Sequence, residues 1–146
     1  MSLLREIQDA TTDPNFRLAD ILRKAKILAA RLSHKAFKDW IEKELNGYGA
    51  DDELPQYRIL TNLGSRGDFF GPFGSRVKNA PIPLLSFPQD VAQTLNKMNV
   101  LQSVSAIENT VAQANQSGTS ILKALWTADA VALLGSDVYG IATEYV

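Results

Sequence analysis

The sequence predicts an α+β fold, mainly helical, in which an N-terminal helical hairpin packs on a small antiparallel sheet with a Gly/Pro-rich loop, followed by further helices. Three observations lead there. Apolar residues recur every three or four positions through residues 18–45, alternate every second position over 57–63, and give way to two glycines and three prolines in 71–83. A length of 146 residues fits one domain of ordinary size, so 1–146 reads as a single module.

The first helix carries Leu3, Leu4 and Ile7 and ends at Thr11-Thr12-Asp13-Pro14, because proline pushes its predecessor out of the α region. The second places Leu18, Ile21, Leu22, Ala25, Leu28 and Leu32 on one stripe, with Arg23, Lys24, Lys26 and Arg31 mainly off it. Ser33 is the expected cap of a third helix, whose apolar face is Phe37, Trp40, Ile41 and Leu45 and whose stop is Asn46-Gly47. So short a joint predicts a helical hairpin. Asp51, Asp52, Glu53 and Pro55 then read as a solvated turn, and residues 57–63 as a strand. Gly64 and Gly67 mark either a hairpin turn or a bulge before Phe69 and Phe70. The stretch from Gly71 to Pro83 is expected to be an ordered loop with edge-strand pieces.

Helix returns where Ser86 and Gln89 have capping-box spacing around Pro88. Val91, Leu95, Met98 and Val100 line one piece; Val104, Ile107, Val111 and Ala114 line a second that runs to the polar break at 115–118. Residues 121–126 are expected to form a short strand pairing with 57–63, and Thr127 to cap a last helix ending at Gly135. The expected core includes Leu18, Leu22, Leu28, Trp40, Ile41 and Phe73, the last anchoring the Gly/Pro loop. Ile27, Leu101, Ile121 and Tyr145 fall outside the core stripes and are candidates for a self-association surface.

Composition narrows the chemistry. With no cysteine and a single histidine, His34, disulfide frameworks, thiolate metal sites, cysteine nucleophiles and Ser/His/Asp triads lose their parts, and a reducing cytoplasmic setting is expected. No cofactor signature and no metal-ligand spacing stands out, and no catalytic residue is assigned. The N-terminal segment is amphipathic and no apolar run reaches spanning length, so no membrane partner is expected. Net charge is −1, yet residues 17–43 carry an excess of five positive charges, while Pro88 onward carries an excess of three negative ones.

Few motifs survive inspection. His34 beside Lys35 reads as a solvated surface histidine, and Asp39 and Glu42 pair with nearby lysines at helical spacing. The run from Gly71 to Asn79 has glycines, a hydroxyl and a lysine, but its spacing is not that of a Walker A loop and Pro81 and Pro83 forbid the helix that would follow. Arg66, Arg76, Lys78 and Asn79 remain the anion- or ligand-binding candidates, beside flexible backbone amides. Arg23, Lys24, Ile27 and Arg31 are the interaction-surface candidates. Arg66-Gly67-Asp68 matches an adhesion tripeptide by letter only.

Longer strings add a family. Met1-Ser2-Leu3-Leu4-Arg5-Glu6-Ile7, Leu22-Arg23-Lys24, Leu28-Ala29-Ala30-Arg31-Leu32, Trp40 with Glu44-Leu45-Asn46-Gly47-Tyr48, Leu54-Pro55 with Tyr57-Arg58, and Gly71-Pro72-Phe73-Gly74-Ser75 with Asn79, Pro81, Ile82 and Pro83 occur in order. In these the chain resembles the AbiTii domain family, the N-terminal module of bacterial proteins tied to abortive infection and other phage defence. The resemblance covers most of residues 1–87 and loosens beyond Pro88, where Trp126 and Val131 to Gly135 are its anchors. The family brings no established catalytic residues; with the lone histidine and absent cysteines, the expected function is a non-catalytic module that senses, recruits or oligomerises, with a protein partner or a second copy as ligand. The alternative from another class is a nucleic-acid-binding or nucleic-acid-acting toxin that uses the basic helices and the Arg76/Lys78 loop; nucleic acid is the less favoured partner. Members of the family commonly continue into further domains, so an end at Glu144-Tyr145-Val146 reads as a truncation.

Overall fold

Alanines, not only leucines, decide how the N-terminal helices pack. In the computed structural model, which describes residues 2–119 and 121–133, the helices are α1 (Leu3–Thr12), α2 (Leu18–Arg31), α3 (Lys35–Asn46), α4 (Gln89–Leu95), α5 (Val104–Gln116) and α6 (Ala128–Leu133). The strands are β1 (Ile59–Thr61), β2 (Arg66–Phe70), β3 (Arg76–Pro81) and β4 (Lys97–Asn99). Helices followed by small antiparallel strand pairs make this an α+β chain. The described residues fall into two units: 2–54 with 101–119 and 121, and 55–100 with 122–133.

The first unit is helical. Ala19, Leu22, Ala25 and Ala29 of α2 line its core with Ile41 of α3 and Val104 of α5, and Ile7, Phe37 and Leu45 pack around them. Three alanines on one stripe let neighbouring helices approach closely. That stripe is rotated from the expected one: Leu18, one residue before buried Ala19, is 51% exposed, and Leu28 is half-buried. Trp40 is not core either. It stands at the rim of α3, 38% exposed and stacked on Phe37 at 5.9 Å, because the buried stripe of α3 runs through Ile41 and Glu44. The Glu44 carboxylate accepts a hydrogen bond from the Tyr48 hydroxyl at 2.7 Å, which gives a buried charge a partner.

The turn between α2 and α3 corrects the expected cap. Ser33 has φ 54° and closes α2: its N–H donates to Ala30 O at 3.1 Å and the His34 N–H to Ala29 O at 3.0 Å, a Schellman pair with serine where glycine is usual. His34 is the cap of α3, its Nδ1 accepting from the Phe37 N–H at 3.1 Å. At the other end of α3, Gly47 has φ 91° and ψ 171°, and Tyr48 N–H donates to Leu101 O at 2.8 Å. The start of α2 has no side-chain cap of its own, since Arg17 occupies that position. Helix α5 supplies one instead: Glu108 Oε1 accepts from Leu18 N–H at 2.5 Å, Glu108 Oε2 lies 3.5 Å from Arg17 Nε, and Asn109 Oδ1 accepts from Arg17 at 3.2 Å.

The second unit holds two antiparallel pairs. β1 pairs with β4, Leu60 opposite Met98, so the expected partner 121–126 is wrong; residues 121–127 have no helix or strand. The strand predicted over 57–63 is shorter, because Gln56–Arg58 forms a 3₁₀ turn that buries Arg58 and leaves Tyr57 exposed, against the alternation. Met98 lies on β4, not on a helix, and α4 starts at Gln89 after Pro88, later than the Ser86 cap predicted. β2 pairs with β3, with a bulge between Gly67 and Phe69, the second of the two expected alternatives. Ile82 and Phe87 form the core here with Phe69, Val91, Leu95 and half-buried Trp126, whose ring meets Phe87 edge-on at 6.1 Å.

Phe73 is the largest departure from the expected core. It sits in the turn joining β2 to β3, is fully exposed at 108%, and has φ 57° and ψ 27°. A side chain in this left-handed region costs roughly 1–2 kcal/mol, and leaving a phenyl ring in water forgoes about 1.5–3 kcal/mol of burial. Ile27 and Ile121 are exposed as expected, Leu101 is half-buried, and both Tyr145 and the Gly135 helix end lie outside the described residues.

Candidate functional site

Two places gather the candidate residues, one in each unit. In the first, α2 and α3 leave an open groove of about 480 Å³ between them. It is lined by the apolar Ile27, Ala30 and Leu45 together with Arg23, Lys26, Lys38 and Asn46. Period 3.6 explains the α2 side, since Lys26 and Ile27 each lie three or four residues from both Arg23 and Ala30. Ile27 is half exposed at 50%. Lys26 pairs with Glu42 across the two helices at 3.1 Å, and Arg23 with Asp20 on its own helix. Lys38 makes no ion pair among the described residues, so the groove keeps a positive lining.

The interaction candidates therefore divide. Arg23 and Ile27 line the groove, whereas Lys24 turns toward α1, pairing with Glu6 at 3.5 Å and lying over the Phe16 ring at 5.5 Å, and Arg31 is exposed in the last turn of α2. Lys26 and Lys38 were missed. The signal was present in the basic excess of 17–43, but which lysines share a face depends on how α2 meets α3.

In the second unit Arg66, Arg76, Lys78 and Asn79 all come together on the β2–β3 hairpin. Arg66 Nε and Nη2 donate to Asn79 O at 3.0 and 2.6 Å, and Nε also to Asn79 Oδ1 at 2.9 Å. Asp68, unassigned from the sequence, is the hub: Oδ1 accepts from Asn79 N–H at 2.8 Å and Oδ2 from Arg76 Nη2 at 2.8 Å. The Asn79 backbone N–H first, and Arg76 second, hold the Asp68 carboxyl below its ordinary 3.8. Asn79 itself has φ 51°, a conformation asparagine tolerates. Much of the donor capacity of Arg66 and Arg76 is thus spent on the hairpin, and the Arg76 guanidinium lies over the Phe70 ring at 4.5 Å. Lys78 makes no ion pair among the described residues.

The remaining polar candidates have structural roles. His34 caps α3, with no nucleophile hydrogen-bonded to it among the described residues. Asp52 accepts from Gly49 N–H and from Lys43 Nζ, both at 2.8 Å, and the lysine first, then Gly49, holds its carboxyl below 3.8. Among the described residues no group of three or more His, Asp or Glu could hold a metal ion, and no helix is long and apolar enough to cross a membrane.

Compared with known proteins, the chain matches the family model described as AbiTii over residues 2–145, which spans both units. Comparison with curated proteins gave no significant match, and comparison with solved structures gave none.

Proposed function

The chain belongs to the AbiTii family, whose name marks abortive infection, and from that premise we propose that it is a non-catalytic recruitment module of a bacterial phage-defence protein, acting in the cytoplasm. One observation carries the reading: Ile27, half exposed, lines a groove together with Arg23, Lys26 and Lys38. An apolar residue grouped with cations suits a protein ligand that brings both apolar and acidic side chains. The ligand is a partner protein or a second copy of the chain. The test is phage plating on cells that carry the gene with Ile27→Asp or with Arg23→Glu and Lys38→Glu together. Protection should fall while the circular dichroism of the purified variants stays that of the wild type. Undiminished protection by all of these variants, or turnover of nucleotides or RNA by the purified chain, would refute the proposal.

A further inference from the structure

The turn that closes the β2–β3 hairpin is hydrogen-bonded around a fully exposed aromatic residue. Gly71 N–H donates to Ser75 O at 2.8 Å, Ser75 N–H to Pro72 O at 3.2 Å, and the Ser75 hydroxyl to Pro72 O at 3.0 Å. Behind it the Arg66–Asn79 and Asp68–Arg76 bonds fix both strands. Phe73 at the apex is fully exposed and held at φ 57°, a conformation in which glycine or asparagine is the ordinary choice. Strain and exposure therefore fall on one side chain, and both are costs in the free chain. A residue that carries two such costs in the free chain points to a bound state.

The surroundings specify the ligand. The Phe73 ring is open on both faces, and Arg66, Arg76 and Lys78 outnumber the one carboxylate, Asp68, along 66–78. Lys78 follows Ser75 by three residues, about 10 Å of extended strand, and makes no ion pair among the described residues. A flat apolar ring ahead of cations matches a nucleobase and a phosphate. No wall surrounds the ring, so a free nucleotide gains too little contact there, whereas a strand supplies further units. A membrane is disfavoured because one apex ring gives only marginal insertion. We propose that the tip of the β2–β3 hairpin is a contact for single-stranded nucleic acid, with a base stacked on Phe73 and a phosphate further along the strand at Lys78. This site is independent of the α2–α3 groove.

Fluorescence anisotropy with labelled 20-nucleotide oligo-dT and oligo-U, at 50 and 200 mM salt, tests it on the 146-residue chain. Saturable binding that weakens with salt is expected. Phe73→Asn, which suits the left-handed backbone, should weaken binding about 5- to 100-fold with an equal or higher melting temperature, and Phe73→Tyr should retain it. Lys78→Gln should reduce the log–log salt slope by about 0.7. The proposal fails if neither oligonucleotide binds at 50 mM salt or if Phe73→Asn binds as the wild type does. It fails equally if thymidine monophosphate alone competes as well as the oligonucleotide, or if Phe73-dependent binding appears only with phosphatidylglycerol vesicles.

Discussion

Replacing Gly47 by alanine tests the packing of the helical unit at one atom. A Cβ on Gly47 would stand 2.8 Å from Leu101 O and 3.3 Å from Ser103 N, both backbone atoms that no rotamer change can move. With φ 91° and ψ 171° the residue also occupies a region essentially closed to other amino acids, at a cost of about 1–3 kcal/mol. Displacing Leu101 O weakens the Tyr48 N–H bond to it, worth about 1 kcal/mol. Loss of unfolded-chain entropy returns about 0.4–1 kcal/mol, leaving a net destabilisation of about 2–3 kcal/mol. For a chain of this size that is a fall of about 5–10 °C in melting temperature. The control is Gly118→Ala: φ is 68° at the end of α5, but nothing lies within 4 Å of the added carbon, so only the left-handed cost of roughly 1 kcal/mol applies. Differential scanning calorimetry or urea unfolding reads both. Should Gly47→Ala cost no more than Gly118→Ala, the close approach of the α3 end to Leu101 is wrong.

Three further outcomes follow from the same geometry. Ser33→Gly should raise stability by up to about 1 kcal/mol, since glycine accepts the left-handed C′ position at no steric cost; a lower urea midpoint would contradict the Schellman turn. Glu108→Ala should cost about 1–2 kcal/mol through the lost cap on α2 and its charge at the helix start, with Glu108→Gln intermediate; equal melting temperatures for all three proteins would remove α5 from that role. The Asp68 carboxyl is depressed in the folded chain, so its contribution is present above its ordinary 3.8 and lost as pH falls through its lower folded value. Asp68→Asn should therefore melt below the wild type at pH 7, the difference closing as the pH is taken down past that value, and a gap unchanged by acid would show that the charge plays no part.

The helices were legible because their stripes and stops are local: Leu22 and Ala25 on α2, and Phe37 and Ile41 on α3, stand at helical spacing, and Asn46-Gly47 ends α3 where the pattern ends. The β1–β4 pair was not. Three residues are too few to display a period, and the partner lies nearly forty residues away. Burial of Arg58 inverted the one alternation that was visible, because a long cation at a strand start reads as a solvent-facing residue. At the hairpin the cations were found, but Asp68 was hidden in a tripeptide and Phe73 was misread, since an aromatic ring carries an apolar signal whatever its backbone does. Ile27 and Arg23 were found as surface residues, whereas Lys38 entered the groove only through the docking of α3 on α2.

Gly47 and Tyr48 also meet the residues by which the chain returns, Leu101 to Ser103. In the order of the chain, residues 55–100 of the other unit thus intervene between two pieces of the helical unit. On the ribosome, α1, α2 and α3 emerge before α5, and at about 5–20 residues per second the intervening residues 55–100 delay α5 by roughly 2 to 10 seconds. Throughout that interval the face of α2 and α3 that receives Val104 is bare and Leu18 N–H lacks Glu108. A chaperone or a neighbouring nascent chain meets an unfinished three-helix surface, and the last piece of this helical unit is made after residues 55–100 of the other.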